Sequence, residues 1–135
     1  MKIRKIMILT VAFMIAIAAG TGYYLYNKPV PSVANLTAQA VSAVDLFKDF
    51  STNEQMANQS FLNKAVQVSG KVLEVSHNQN QQVQVILDAG DPMFGIACTL
   101  DDANVRVKRG DLVTIKGICT GFLNDVVLTR SLLLN

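Results

Sequence analysis

The chain has 135 residues, half of them apolar, with 12 basic and 10 acidic side chains and a formal net charge of +2. That length leaves room for one domain. The positive balance is local: Lys2, Arg4, Lys5 and Lys28 flank a single apolar segment, and without them eight basic residues face ten acidic ones. From Phe61 onward seven bases meet seven acids, which is not the surplus of Lys and Arg that neutralising a phosphate backbone requires.

Met1 to Lys5 is a short basic head, and Ile6 to Tyr26 then runs 21 residues without a charge. A bilayer span takes about 20 apolar residues. Two readings compete. A secretory signal would have an apolar core of about 7–15 residues and a small-residue exit, which Ala16-Ile17-Ala18 loosely supplies. A retained anchor would be longer and would end in interfacial aromatics, as Tyr23, Tyr24 and Tyr26 before Lys28 do. The length favours an uncleaved anchor over residues 1–28. No cysteine lies near it, so lipidation there is not expected. The basic head belongs in the cytoplasm by the positive-inside rule. That makes the chain single-pass in a bacterial inner membrane, with its C-terminal domain periplasmic.

Residues 29–41 read as a linker, because Pro29 and Pro31 favour an extended, stiff spacer. A helical arm follows over 42–61. Ser42-x-x-Asp45 has the form of a capping box with Asp in place of Glu or Gln, and Ala43, Leu46, Phe47 and Phe50 form an i, i+3, i+4, i+7 stripe. A second short helix is expected from Asn53 to Phe61, presenting Met56, Ala57 and Phe61. Such stripes face a core, so the arm is read as packing across an open end of the β-domain. A partner-binding amphipathic helix is the alternative.

Residues 62–135 hold five strand candidates with period-2 alternation. Ala65 to Ser76 turns Val66, Val68, Gly70 and Val72 to one face, and Val75 resumes one step out of phase, which predicts a bulge between Gly70 and Leu73. After the polar loop His77 to Gln82, Val83 to Asp88 turns Val83, Val85 and Leu87 inward. Phe94 to Leu100 aligns Phe94, Ile96, Cys98 and Leu100, and Leu112 to Cys119 aligns Val113, Ile115 and Cys119. Val126 to Leu134 is the fifth, its phase left open by Arg130. A long bent strand, a meander, a crossover without a helix and a closing hairpin describe a mainly β, five-stranded Greek-key barrel of the OB type.

The chemistry-bearing residues are few. His77 is the single histidine and stands beside a polar loop with no acidic cluster to support it, so it is read as solvated. Asp101-Asp102 and Asp88-x-x-Asp91 are read as turn formers rather than acid–base or calcium groups. There is no phosphate-binding Gly loop and no nucleophile–base pairing, so no catalytic residue, cofactor or metal ligand is assigned. Cys98 and Cys119 are the only thiols. Outside the cytoplasm they could close a disulfide worth about 3 kcal/mol; otherwise they pack as two separate buried thiols. The usual OB ligand face, on the second and third strands, selects Gln82, Gln84, Ile86, Gly95, Ala97 and Thr99, with His77, Asn78 and the rest of the loop to Gln81. The expected function is a non-enzymatic, membrane-tethered binding module whose ligand is an envelope protein, peptide or glycan. The alternatives are a nucleic-acid binder using Arg106, Lys108, Arg109 and Lys116, or a purely structural or assembly part.

A set of motifs spans most of the chain: Asn53-Glu54 with Ala57-Asn58, Phe61-x-x-Lys64, Val68-x-Gly70-x-Val72, Gly95-x-x-Cys98, Lys108-x-Gly110-Asp111-x-Val113 and Lys116-Gly117-x-Cys119-x-Gly121-x-x-x-Asp125-Val126-Val127-Leu128. As a set they resemble the tRNA_anti-like family of bacterial OB-fold proteins. Tyr26-Asn27-Lys28-Pro29 after an apolar segment looks like its membrane-anchored members in Bacteroidetes. The chain departs from the family at Phe61-Leu62-Asn63-Lys64, where Tyr-x-Gly-Lys is usual, and at Ser131, near which many members carry Cys. The family name reflects a fold similarity to anticodon-binding domains and implies no tRNA function.

Overall fold

In the computed structural model, which describes residues 1–29 and 31–135, the chain forms two units, Met1–Pro31 and Ser32–Asn135. The first is one helix, α1, Lys2–Tyr26, with no buried residue. At 1.5 Å per residue it is about 37 Å long, longer than the roughly 30 Å apolar layer of a bilayer. Its mean hydropathy reaches 2.0, so it is long and apolar enough to cross a membrane, as a signal sequence also can be. The Asn27 amide closes it on the Tyr23 carbonyl at 3.0 Å, and Pro29 follows without an amide to continue it.

The second unit begins earlier than the sequence suggests. The Ser32 hydroxyl accepts the Ala34 amide at 3.3 Å and starts a 3-10 turn, Val33–Asn35, whose Val33 is buried. β1, Gln39–Ser42, then runs parallel to β2, Ala65–His77, pairing Gln39 with Val66 through Ser42 with Ser69. The extended spacer expected over 29–41 is corrected accordingly: from Ser32 onward this stretch is folded. Four residues without clear alternation carry little strand signal, and a parallel partner far along the chain is invisible to a local pattern.

Five strands close the barrel: β2, β3 (Val83–Asp88), β4 (Gly95–Leu100), β5 (Leu112–Phe122) and β6 (Val126–Leu133). Their order is β2-β3-β4-β6-β5, and β5 returns to β2. All barrel pairs are antiparallel except β4 with β6. This is the OB arrangement read from the sequence, with β1 appended outside the closure. β2 closes it by bending: it pairs with β5 up to Lys71 and with β3 from Val72, and its register slips between Val72 and Glu74. The slip is the predicted bulge. It leaves Val66, Val68 and Val72 buried and turns Val75 toward the core. The phase of β6 is settled by a second bulge. Val126, Leu128 and Ser131 are buried, so alternation skips one position at Arg130, whose φ is 52°.

α2 (Ala43–Thr52) and α3 (Glu54–Phe61) lie across one end of the barrel. The Ser42 hydroxyl accepts the Asp45 amide at 3.1 Å and donates to the Asp45 carboxylate at 2.7 Å, closing the first turn. Asn53 caps α3 through the Met56 amide at 3.1 Å. Ala43, Leu46 and Phe50 are buried. The Phe50 ring stacks on Phe122 at 5.7 Å and stands 6.0 Å from Phe61, while Phe47 meets Phe122 edge-on at 5.9 Å. The arm is thus part of the core. Gly70 makes its approach feasible, since a Cβ there would sit 2.9 Å from that of Ala43. Met56 departs from expectation. It is 65% exposed, because Ala57 and Phe61 share the buried face one turn apart and Met56 is rotated off it. Asn63 ends the arm at φ 59°. That left-handed backbone favours Gly, which is unstrained there, and Asn is among the side chains that tolerate it best.

The opposite end is closed by the crossover between β4 and β5. Val105 and Val107 pack against the core while Arg106, Lys108 and Arg109 face outward.

Candidate ligand-binding face

The outer surface of β2, β3 and β4 is organised in cross-strand rows. Ser76 pairs with Gln84, and Gln84 with Thr99. The next row sets Glu74 against Ile86, Ile86 against Ala97, and Ala97 against Val127 of β6. Three of the predicted residues, Gln84, Ile86 and Thr99, therefore share one surface, all of them half-buried. The first row offers an amide between two hydroxyls, each able to donate and accept. The second is an apolar strip bounded by the Glu74 carboxylate.

Glu74, Ser76 and Val127 belong to this surface and were not singled out from the sequence. The shifted phase after the bulge in β2 was the available signal for the first two. Val127 had none, because β6 reaches β4 only through the parallel pairing.

Two predicted face residues are corrected. Gly95 and Ala97 are buried. β4 lies mid-sheet between β3 and β6, and neighbouring side chains close over small residues there. A Cβ on Gly95 would strike the Leu87 carbonyl. Phe94, predicted to start the strand, lies just outside it and is half-buried, its amide held by the Asp91 carboxylate at 2.9 Å. The Gly95 amide donates to Asp125 at 2.7 Å, so this carboxylate ties the β5–β6 turn to β4 instead of serving its own turn.

The loop after β2 is self-contained. The Asn78 side chain accepts the Asn80 and Gln82 amides at 2.9 and 3.0 Å and donates to the Gln82 side-chain oxygen at 3.0 Å. Asn78 and Gln82 shape the turn and spend on each other much of the hydrogen-bonding capacity a ligand would use. His77 is exposed at the strand end.

The four basic candidates do not act together. Arg106, Lys108 and Arg109 are exposed on the crossover, whereas the Lys116 ammonium donates to the Ala34 carbonyl at 3.0 Å and pins the 3-10 turn. Asp101, Asp102 and Asp111 occupy the same crossover, two of them bonding to backbone amides of the loop.

Cys98 and Cys119 are free and buried. Both are paired with Leu128, Cys98 on one side of β6 and Cys119 on the other. Two strand spacings, about 9.5 Å, separate their backbones, beyond the roughly 7 Å limit for a disulfide. The disulfide reading is corrected to two separate core thiols. Burial raises the pKa of both, and at Cys119 a backbone hydrogen bond involving Gly121 partly offsets it. Ser131 shares this interior. Its side chain sits over Gly117, and its buried hydroxyl lacks a hydrogen-bond partner. A thiol there would carry a smaller polar cost. Among the described residues no three His, Cys, Asp or Glu side chains converge as a metal site would need.

Against the rim of the barrel, a groove of about 490 Å³ runs between α3 and the β5–β6 hairpin. Leu62, Phe122 and Val127 line it, with Glu54 and Asn58 on the helix side. Val127 thus belongs to both the outer strip and this groove.

Barrel closure, the parallel β4–β6 pair and a polar outer face define an OB-fold protein with an apolar N-terminal helix. Residues 1–133 match the tRNA_anti-like family model, and the chain belongs to that family. Among solved structures, it is similar to a lipoprotein from Klebsiella pneumoniae that is proposed to bind nucleic acid. The identity is 18% and the TM-score 0.55, over 80% of this chain and all of that one. It also matches yeast Stn1 and Ten1 at 12% identity and TM-score 0.46, over 73% of this chain and 64% of that one. There is no significant match among curated proteins.

Proposed function

We propose that this chain is a non-enzymatic OB-fold binding module, tethered by α1 to the periplasmic side of a bacterial inner membrane, and that it binds a protein, peptide or glycan of the envelope. The observation that carries the reading is the row Ser76–Gln84–Thr99, hydroxyl, amide and hydroxyl at paired positions, beside the half-buried Ile86 and Val127 of the next row. Such groups suit neutral polar polymers, which present amides or hydroxyls of their own. A polyanion would want cations there, and the strip ends on Glu74. Pulldown from detergent-solubilised envelope with wild type and a Gln84→Ala/Thr99→Ala double variant tests it. Loss of specific captures in the variant supports the face; unchanged capture sinks it.

Nucleic-acid binding is the second reading, favoured by three exposed cations within four residues, Arg106, Lys108 and Arg109. The lipoprotein similar in fold carries the same proposal. This reading predicts retarded gel mobility at low salt and affinity that falls steeply as salt rises. No shift at low salt dismisses it.

A further inference from the structure

β1 stands at the end of the sheet order and pairs with β2 alone. Among the described residues its outer edge therefore carries amides and carbonyls without a strand partner. Natural edges are guarded by charge, proline, bulges or a covering element. Gln39-Ala40-Val41-Ser42 has no charge and no proline, and Gln39 and Ala40 are exposed. Shortness is its main protection.

Beside this edge a groove of about 430 Å³ lies against the α2–α3 corner. Gln39, Lys48, Asp49, Met56, Ala57 and Phe61 help to line it. Its floor is apolar, and its rim carries one cation and one anion at adjacent positions.

We infer that β1 is a self-association edge whose occupant is the β1 strand of a second copy of this chain, paired antiparallel about a two-fold axis. The argument for a second copy is reciprocity. An isologous contact requires each patch to complement itself. Facing residues of an antiparallel pair share one face of the sheet, so a two-fold axis through Ala40 sets Ala40 against its own copy and Gln39 against Val41, with the smallest side chain of the strand at the axis, twice over. The Lys48–Asp49 rim is likewise self-complementary, because a two-fold can offer each charge its opposite. The exposed Met56, which the fold itself does not bury, gains cover beside the shared strands. A partner with a net charge of either sign would find no matching surplus on this rim.

The test uses the full chain in detergent micelles with a short bis-maleimide cross-linker. The native thiols Cys98 and Cys119 are buried and serve as a silent background. Ala40→Cys is expected to give a product of twice the chain mass on a denaturing gel, while Met93→Cys, on an exposed turn residue, stays at single mass. Val41→Pro added to Ala40→Cys removes a ladder amide and is expected to abolish the doubled band. Circular dichroism of this variant confirms that the barrel persists. Equal cross-linking at Ala40→Cys and Met93→Cys would place the association elsewhere and overturn the inference. Single-mass product from Ala40→Cys would do the same.

Discussion

The two ends of the barrel are closed by different physics. At one, α2 and α3 lay Leu46, Phe50 and Phe61 onto the core, with Phe122 stacked beneath. At the other, a loop without regular structure is held mainly by backbone bonds. The Gly110 amide donates to Val72 and the Val72 amide to Asp111, both at 2.8 Å, and the Asp111 carboxylate takes the Lys108 amide at 2.9 Å. Packing is non-directional and scales with area, whereas a loop bond is local and exchanges with water. The arm end should therefore carry the stability, and the crossover end should tolerate change.

The largest effect is expected at the arm. Phe50→Ala should cost about 3–5 kcal/mol by loss of transfer energy and an unfilled cavity, read by urea unfolding; a cost below that of a surface substitution would make the arm an ornament. Next come the buried thiols. Their pKa values are raised in the folded state, so the thiols stay protonated while those of the unfolded chain ionise above the ordinary value of 9.0. The unfolded chain then binds fewer protons, and stability falls as pH rises above that value, by up to about 1.4 kcal/mol per pH unit for each thiol. Unfolding between pH 8 and 10.5 should show this slope, flattened in Cys98→Ala. At the crossover, Asp111→Ala removes one turn bond and should cost only about 1 kcal/mol, leaving circular dichroism unchanged. Smallest of all, Ser131→Ala removes a buried hydroxyl without a partner. It should be neutral or stabilising by up to about 1 kcal/mol, measured as the thermal midpoint. A loss comparable with that of Phe50→Ala would mean that the hydroxyl is satisfied in solution.

Much of this was legible in the chain. The inward faces of β2, β3 and β5, the bulge in β2 and the Ser42 cap all follow from period-2 alternation, its interruption, or a motif a few residues long. The candidate face was legible in part. Gln84, Ile86 and Thr99 could be placed outward by parity alone, but parity does not say which outward residues a neighbour covers. Gly95 and Ala97 disappear because β4 is flanked on both sides, and Asn78 and Gln82 turn out to bind each other.

By itself the sequence determined the apolar helix, the strand faces and the OB class, since each depends on residues within a few positions of one another. Only the tertiary structure decided what depends on register between distant strands. It set Cys98 and Cys119 on opposite sides of Leu128, beyond bonding reach. It brought Val127 beside Ala97. It also recruited Gln39–Ser42 from an apparent linker into an edge strand, because pairing with β2, rather than any local preference, gives that stretch its structure.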